Sequence, residues 1–453
     1  MRNLSLRDTS FFPWALATAA KESIAYGNEF RASGVTQEDI VEICRRYSNL
    51  DDPLASEDPE LSTPTSFLVR TAYEQFDYQR SVYADMGRAV GLFDIDLADS
   101  GEIVNKSFWT DILGCSVREF VGSGFLFAAG CLHNEGRFDP SWLSQSNFSP
   151  IIDEIPASTI RSLLTQFFGR SFDDLRAACR ANKSKEVKLR KVEYNPLKLT
   201  PLVERPQGDY IAPVIQLIHA KLAPAGIYYE VLNRLESQTR RDAFTRDVGI
   251  LFEKYVGRQL ADLSAVLYPQ VEYSKGKMSV DWILVWPSLV VLVEAKASRL
   301  SQSARMGTHR TAADVDRSLG RAIRQIGHTA RMVSEGHGAF SAIPTDRPIV
   351  GLVVTLEPYY LAHSPLALGK YLPRSDVPTA VVSAENLENW VATDLEGDAE
   401  QVMNSTFGPD NEFRDLNASL AGRAPGRPRQ VNALLDQVWA TLPFMEQIRQ
   451  RSA

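Results

Sequence analysis

The sequence predicts a mixed α/β protein with a central sheet flanked by helices, preceded by a mainly helical N-terminal domain. Three observations point there. Residues 240–390 read in the order helix, three strands, helix, strand. Two apolar runs of strand length, 279–286 and 289–296, are separated by Trp286-Pro287-Ser288. Helical periodicity with capping signals dominates residues 1–195.

In the N-terminal region, "VTQEDIVEICRRYSNL" places Thr36 and Asp39 at capping-box spacing before apolar residues at helical intervals. The acidic, proline-bearing "DDPLASEDPELSTPT" (51–65) reads as a loop, with further helices around 66–92, 107–121 and 157–182. This half offers no catalytic constellation, so recognition or assembly is its expected task. Residues 196–239 read as a connector. The domain at 240–395 begins with "RRDAFTRDVGILFEKYVGRQLADLSAVL" (240–267), a long amphipathic helix, followed by a short strand "VEYSK" (271–275) and a hairpin around Pro287-Ser288. An arginine-rich segment then leads to a helix at about 312–335. A strand within 348–361 and a strand and helix within 379–391 close the domain, and a helical tail (396–453) is interrupted by "GRAPGRPRQ".

Composition sets limits on function. Over 453 residues, 44% apolar and 23% charged describe an ordinary globular chain, and a net charge of −7 gives no global sign of nucleic-acid binding. Four scattered cysteines argue for a reducing compartment and against a disulfide framework or a zinc knuckle. Cys131 and His133 form a C-x-H fragment without co-ligands, which reads as ordinary packing. With no leader signature and no long apolar run, a cytoplasmic protein is expected.

The chemistry lies in three charges within the apolar hairpin: Asp281, Glu294 and Lys296. Strand cores exclude such residues unless each has a partner. Glu294 and Lys296 are two apart and share a face, and the hairpin can bring Asp281 towards Glu294. Two carboxylates brought together need a cation between them, and hard oxygen ligands suit Mg²⁺, with Mn²⁺ able to substitute. Lys296 then stands where an ammonium could hold or help deprotonate a water attacking a phosphodiester. In the preceding helix Gly249, Val256, Leu260, Leu263 and Leu267 form an apolar stripe on which Glu253 falls.

These pieces, "GILFEKYV" (249–256), Asp281 in "KMSVDWILV" and the E-x-K of "VEAK" (293–296), resemble the PD-(D/E)XK nuclease superfamily, the restriction-endonuclease-like fold, over about residues 240–390. The resemblance implies that Asp281 and Glu294 bind the catalytic metal with the Ala295 carbonyl. It also implies that Lys296 positions or activates the water and that Glu253 supports the site. Gln325 matches a glutamine often found in the helix after E-x-K. Val280 stands where the family's naming proline would be.

Downstream, Arg317, Arg321, Arg324, His328 and Arg331 repeat at 4-3-4-3 on one helical face, with Leu319, Ile323, Ile326 and Ala330 opposite. Beside an acidic metal site, such a stripe suits a phosphate backbone. The basic segment with Lys183, Lys185, Lys188, Arg190 and Lys191 reads as a solvated linker or face, and "PGRPRQ" (425–430) as a linker rather than a minor-groove hook. The expected function is a Mg²⁺-dependent endonuclease acting on DNA, in restriction or phage defence. RNA cleavage and a binding module without turnover are the alternatives. A homo-oligomer and a defence partner protein both stay open.

Overall fold

A computed structural model describes residues 12–27, 34–50, 63–94, 101–105, 107–181, 194–422 and 432–443. The basic segment at 183–191 and the Gly-Arg-Pro stretch at 425–430 lie outside the described residues. The protein is a mixed α/β structure in which helices dominate the first half. No helix among the described residues is long and apolar enough to cross a membrane.

Helix Gln37–Ser48 starts as its sequence dictates. The Thr36 hydroxyl accepts the Asp39 N–H, and the Asp39 carboxylate accepts the Thr36 N–H at 2.9 Å. The same reciprocal cap, Ser116 with Glu119, opens the buried helix Val117–His133. A small four-stranded sheet also forms here from β1 (Arg137–Phe138), β2 (Gly169–Ser171), β3 (Leu202–Glu204) and β4 (Tyr210–Ile211), in the order β1-β4-β3-β2. The expected connector 196–239 holds two helices, Ile215–Leu222 and Pro224–Arg234. Their Ile218, Leu222, Ile227 and Val231 are wholly buried.

The larger sheet comprises β5 (Val266–Pro269), β8 (Trp282–Val285), β9 (Val290–Lys296), β10 (Ile349–Thr355) and β11 (Thr379–Ser383), in the order β11-β10-β9-β8-β5. The strands β5, β8 and β9 form an antiparallel meander, while β10 and β11 run parallel to β9. Between β5 and β8, β6 (Glu272–Ser274) and β7 (Lys277–Met278) make a separate two-stranded ribbon. Two expectations are corrected here. The long helix spans Gln238–Ala261 and ends before residue 267, because Ser264 turns back to bond the Asp394 carboxylate and Leu267 pairs with Leu284 in the sheet. Leu267 therefore leaves the helical stripe. "VEYSK" is extended, but its partner is β7 and not the main sheet.

Strand β9 shows why its sequence is nearly all apolar. Val291 and Val293 pack into one core with Phe252 of the long helix and Phe120 and Phe168 of the N-terminal half. Val290 and Leu292 pack into another with Leu319, Ile323 and Ile326. Period-two alternation thus serves two buried faces, which is the condition for a continuous apolar run. Glu294, which follows Val293, is the break in that pattern.

Candidate metal centre on the central hairpin

The Trp286 N–H bonds the Leu289 carbonyl at 3.0 Å, and the β8–β9 ladder then runs from Val285↔Val290 to Trp282↔Val293. One step further, Asp281 comes opposite Glu294. There the chain bends and leaves the ladder, so Ala295 has no strand partner on that side. The Asp281 carboxylate takes that place, with Oδ2 accepting the Ala295 N–H at 2.7 Å. Since the N–H and C=O of an extended residue point to the same edge, the Ala295 carbonyl also faces the Asp281 side.

Both acids are buried, Asp281 to 8% and Glu294 to 1% exposure. The Lys296 ammonium is partly exposed and donates to Glu294 Oε1. Glu294 Oε2 is buried with no hydrogen-bond partner. A carboxylate oxygen in that state costs more than the roughly 1–3 kcal/mol of a neutral unsatisfied group. Its proton affinity follows: burial, then the nearby Asp281 charge, push the Glu294 pKa up to about 7, against the pull of Lys296 and of the Asp281 backbone N–H. Burial also raises Asp281, opposed by the Ala295 N–H and Lys296. Glu253, half-buried on the long helix, is raised by burial and then by Asp281, with Lys296 and Lys254 opposing. The sequence-chosen Glu253, Asp281, Glu294 and Lys296 therefore share one electrostatic neighbourhood.

Among the described residues, no three His, Cys, Asp or Glu side chains come close enough to hold a metal by themselves. A cation here would rest on Asp281, Glu294 and the Ala295 carbonyl. The donor set is all oxygen, one of its atoms is buried and unpartnered, and it fits a hard divalent ion that keeps part of its water shell. Glu253 then acts from outside that shell. Cys131 is buried in Val117–His133, where burial pushes its thiol pKa up to about 12, as packing rather than ligation requires.

Gln325 lies on the helix Arg321–Ser334, which packs on β9, and donates to the Ser279 carbonyl at 2.8 Å. It holds the chain two residues before Asp281 and, among the described residues, bonds neither acid, so its place is that of a positioning residue. Two further residues do the same, and the sequence reading missed both. The Thr329 hydroxyl accepts the Val280 N–H at 3.1 Å. The Gln270 amide donates to the Ser279 carbonyl at 3.2 Å and reaches Asp281 Oδ1 at 3.4 Å. Thr329 sits one turn after Gln325 on the same helix, a spacing that could have flagged it; Gln270 carries no such signal.

The arginine face is only partly as expected. Leu319, Ile323, Ile326 and Ala330 are buried, and Arg317, Arg321, Arg324 and Arg331 are exposed. The expected helix 312–335 is broken, however, into Arg310–Val315, a π-helical turn Asp316–Gly320 and Arg321–Ser334. The extra residue of the π turn shifts Arg317 out of the phase of Arg321 and Arg324. Arg317 is ion-paired with Asp314, and Arg324 with Asp316 at 2.8 Å. Arg321 and Arg331 keep no ion pair among the described residues. A cavity of about 1400 Å³ opens elsewhere, near the ends of β10 and β11, lined by Tyr360, His363, Ser383 and Asn386. The acids of the hairpin do not line it.

No protein-family model, curated protein or solved structure matches the chain.

Proposed function

We propose that the protein is a divalent-metal-dependent nuclease of the restriction-endonuclease-like type, built on residues 240–395 and cutting DNA. The observation that carries this reading is the buried, unpartnered Glu294 Oε2 opposite Asp281 and beside Lys296. The mixed sheet, a meander β5-β8-β9 with β10 parallel to β9, supports it, since a mixed central sheet flanked by helices is what the sequence resemblance implies.

When bound, Mg²⁺ or Mn²⁺ would neutralise the two carboxylates and draw electron density from a phosphoryl oxygen. Asp281, fixed by the Ala295 N–H, and Glu294, fixed by Lys296, present the oxygens that would hold it. Lys296, partly in solvent, offers its ammonium to the attacking water and stabilises the hydroxide as that water gives its proton to the surrounding solvent. Water oxygen joins phosphorus, the bond to the leaving sugar oxygen breaks, and that oxygen takes up a proton from solvent water. Arg321 and Arg331, without an ion pair among the described residues, contribute phosphate contacts that carry no base information.

The test is incubation of the purified chain with plasmid DNA, linear DNA and RNA, in Mg²⁺ or Mn²⁺ and in EDTA. The expected result is DNA cleavage that needs the metal. Absence of cleavage, or cleavage untouched by EDTA, would overturn the reading.

A further inference from the structure

The β6–β7 ribbon lies outside the main sheet: β5 pairs directly with β8, and residues 270–281 are an excursion between them. The excursion is nevertheless built and anchored. Its base is closed by Ser279 N–H to the Val271 carbonyl at 2.9 Å and by Val271 N–H to Ser279 Oγ at 2.8 Å, immediately before Asp281. Its turn uses Gly276 at φ 70°, with the Gly276 N–H bonded to Glu272. Tyr273 lays one face of the ribbon against the protein, its ring centroid 5.4 Å from His328 and 6.1 Å from Phe340. His328 belongs to the same helical row as Arg321, Arg324 and Arg331.

Ser274 pairs with Lys277, so these two side chains share one face of the ribbon, and Lys275 stands at the turn. Lys275, Lys277 and Met278 are exposed, and neither lysine has an ion pair among the described residues. The arginine row is thus continued, through His328 and Tyr273, by a two-stranded basic ribbon whose base is the approach to Asp281.

We propose that this ribbon is a DNA-duplex-binding arm that enters the major groove while Arg321 and Arg331 hold the backbone beside it. The inference rests on the nuclease reading and narrows its substrate to double-stranded DNA. A two-stranded ribbon fits the major groove of B-form DNA, whereas the major groove of an RNA duplex is too deep and narrow to admit it.

The test compares the wild-type chain with the variant Lys275→Ala/Lys277→Ala, both positions being exposed and outside the metal site. Affinity is measured in Ca²⁺ for a DNA duplex, its single strand and the matching RNA duplex across a salt series. The expected result is a roughly tenfold loss on the DNA duplex, with a salt slope shallower by about two units and little change on the single strand. Equal losses on all three ligands, no loss on any, or wild-type preference for RNA or single strands would overturn the arm. A wild-type chain that cuts DNA in Mg²⁺ while the variant binds duplex normally sinks this inference alone. A chain that neither binds nor cuts nucleic acid sinks the nuclease reading with it.

Discussion

Two glutamates, Glu388 and Glu294, are equally buried, at 2% and 1% exposure, and their surroundings could hardly differ more. Glu388 receives Arg88 through two bonds of 2.6 Å and the Tyr255 hydroxyl at 2.6 Å, while Asp85 takes the remaining arm of Arg88. These residues come from an N-terminal helix, the long helix and the helix Ala384–Val391. Every charge there is answered by protein. Among the described residues, Glu294 has one lysine on one oxygen, no hydrogen bond on the other, and a second acid opposite. The first arrangement is complete as it stands and ties the two halves of the chain together. The second leaves two buried acids with a single lysine, and the proposed site rests on that shortfall.

The largest expected effect follows directly. Asp281→Ala or Glu294→Ala should reduce cleavage well beyond the roughly 100-fold typical of residues that only support a metal ligand, with the fold intact by circular dichroism. Residual cleavage near the wild-type rate in either variant would remove the site assignment. Glu388→Gln should do the opposite: lose stability in denaturant titrations, by up to about 3 kcal/mol, because Arg88 keeps only Asp85 of its two buried counter-charges, yet keep cleavage per folded molecule. Were Glu388→Gln as stable as wild type, the contrast between the two acids would collapse.

Lys296→Ala sharpens the same comparison. Both carboxylates remain, so metal and DNA binding should persist while turnover is lost. A variant that cuts normally would make Lys296 a structural partner of Glu294 and nothing more.

How much of this was legible in the sequence depends on the range of the interaction. The hairpin, its turn and the meeting of Asp281 with Glu294 follow from period-two alternation across a short loop, and they were readable. The end of the long helix was not, because Leu267 continues the helical spacing while its pairing with Leu284 is a tertiary choice. The π turn that dephases Arg317 leaves no local mark. Arg88 and Glu388 lie 300 residues apart, so nothing nearby announces their pairing. Arg317 and Arg324 looked available as a row. Asp314 and Asp316, visible in the sequence as the opposing charges, turn out to hold them.

Those ion pairs set the smallest predicted effect. Arg321→Ala should weaken DNA binding and lower the salt slope by about one unit, whereas Arg317→Ala and Arg324→Ala should each change it less. Equal effects of the three, read from affinity across a salt series, would mean that the aspartates release their arginines to the backbone.

The measurement closest to the central claim is calorimetric titration of Mn²⁺ into the metal-free wild-type chain and into Glu294→Gln and Glu388→Gln. The account predicts a saturable site in wild type and in Glu388→Gln, and its loss in Glu294→Gln. Equal binding by wild type and Glu294→Gln, or no saturable site in the wild-type chain, would contradict it.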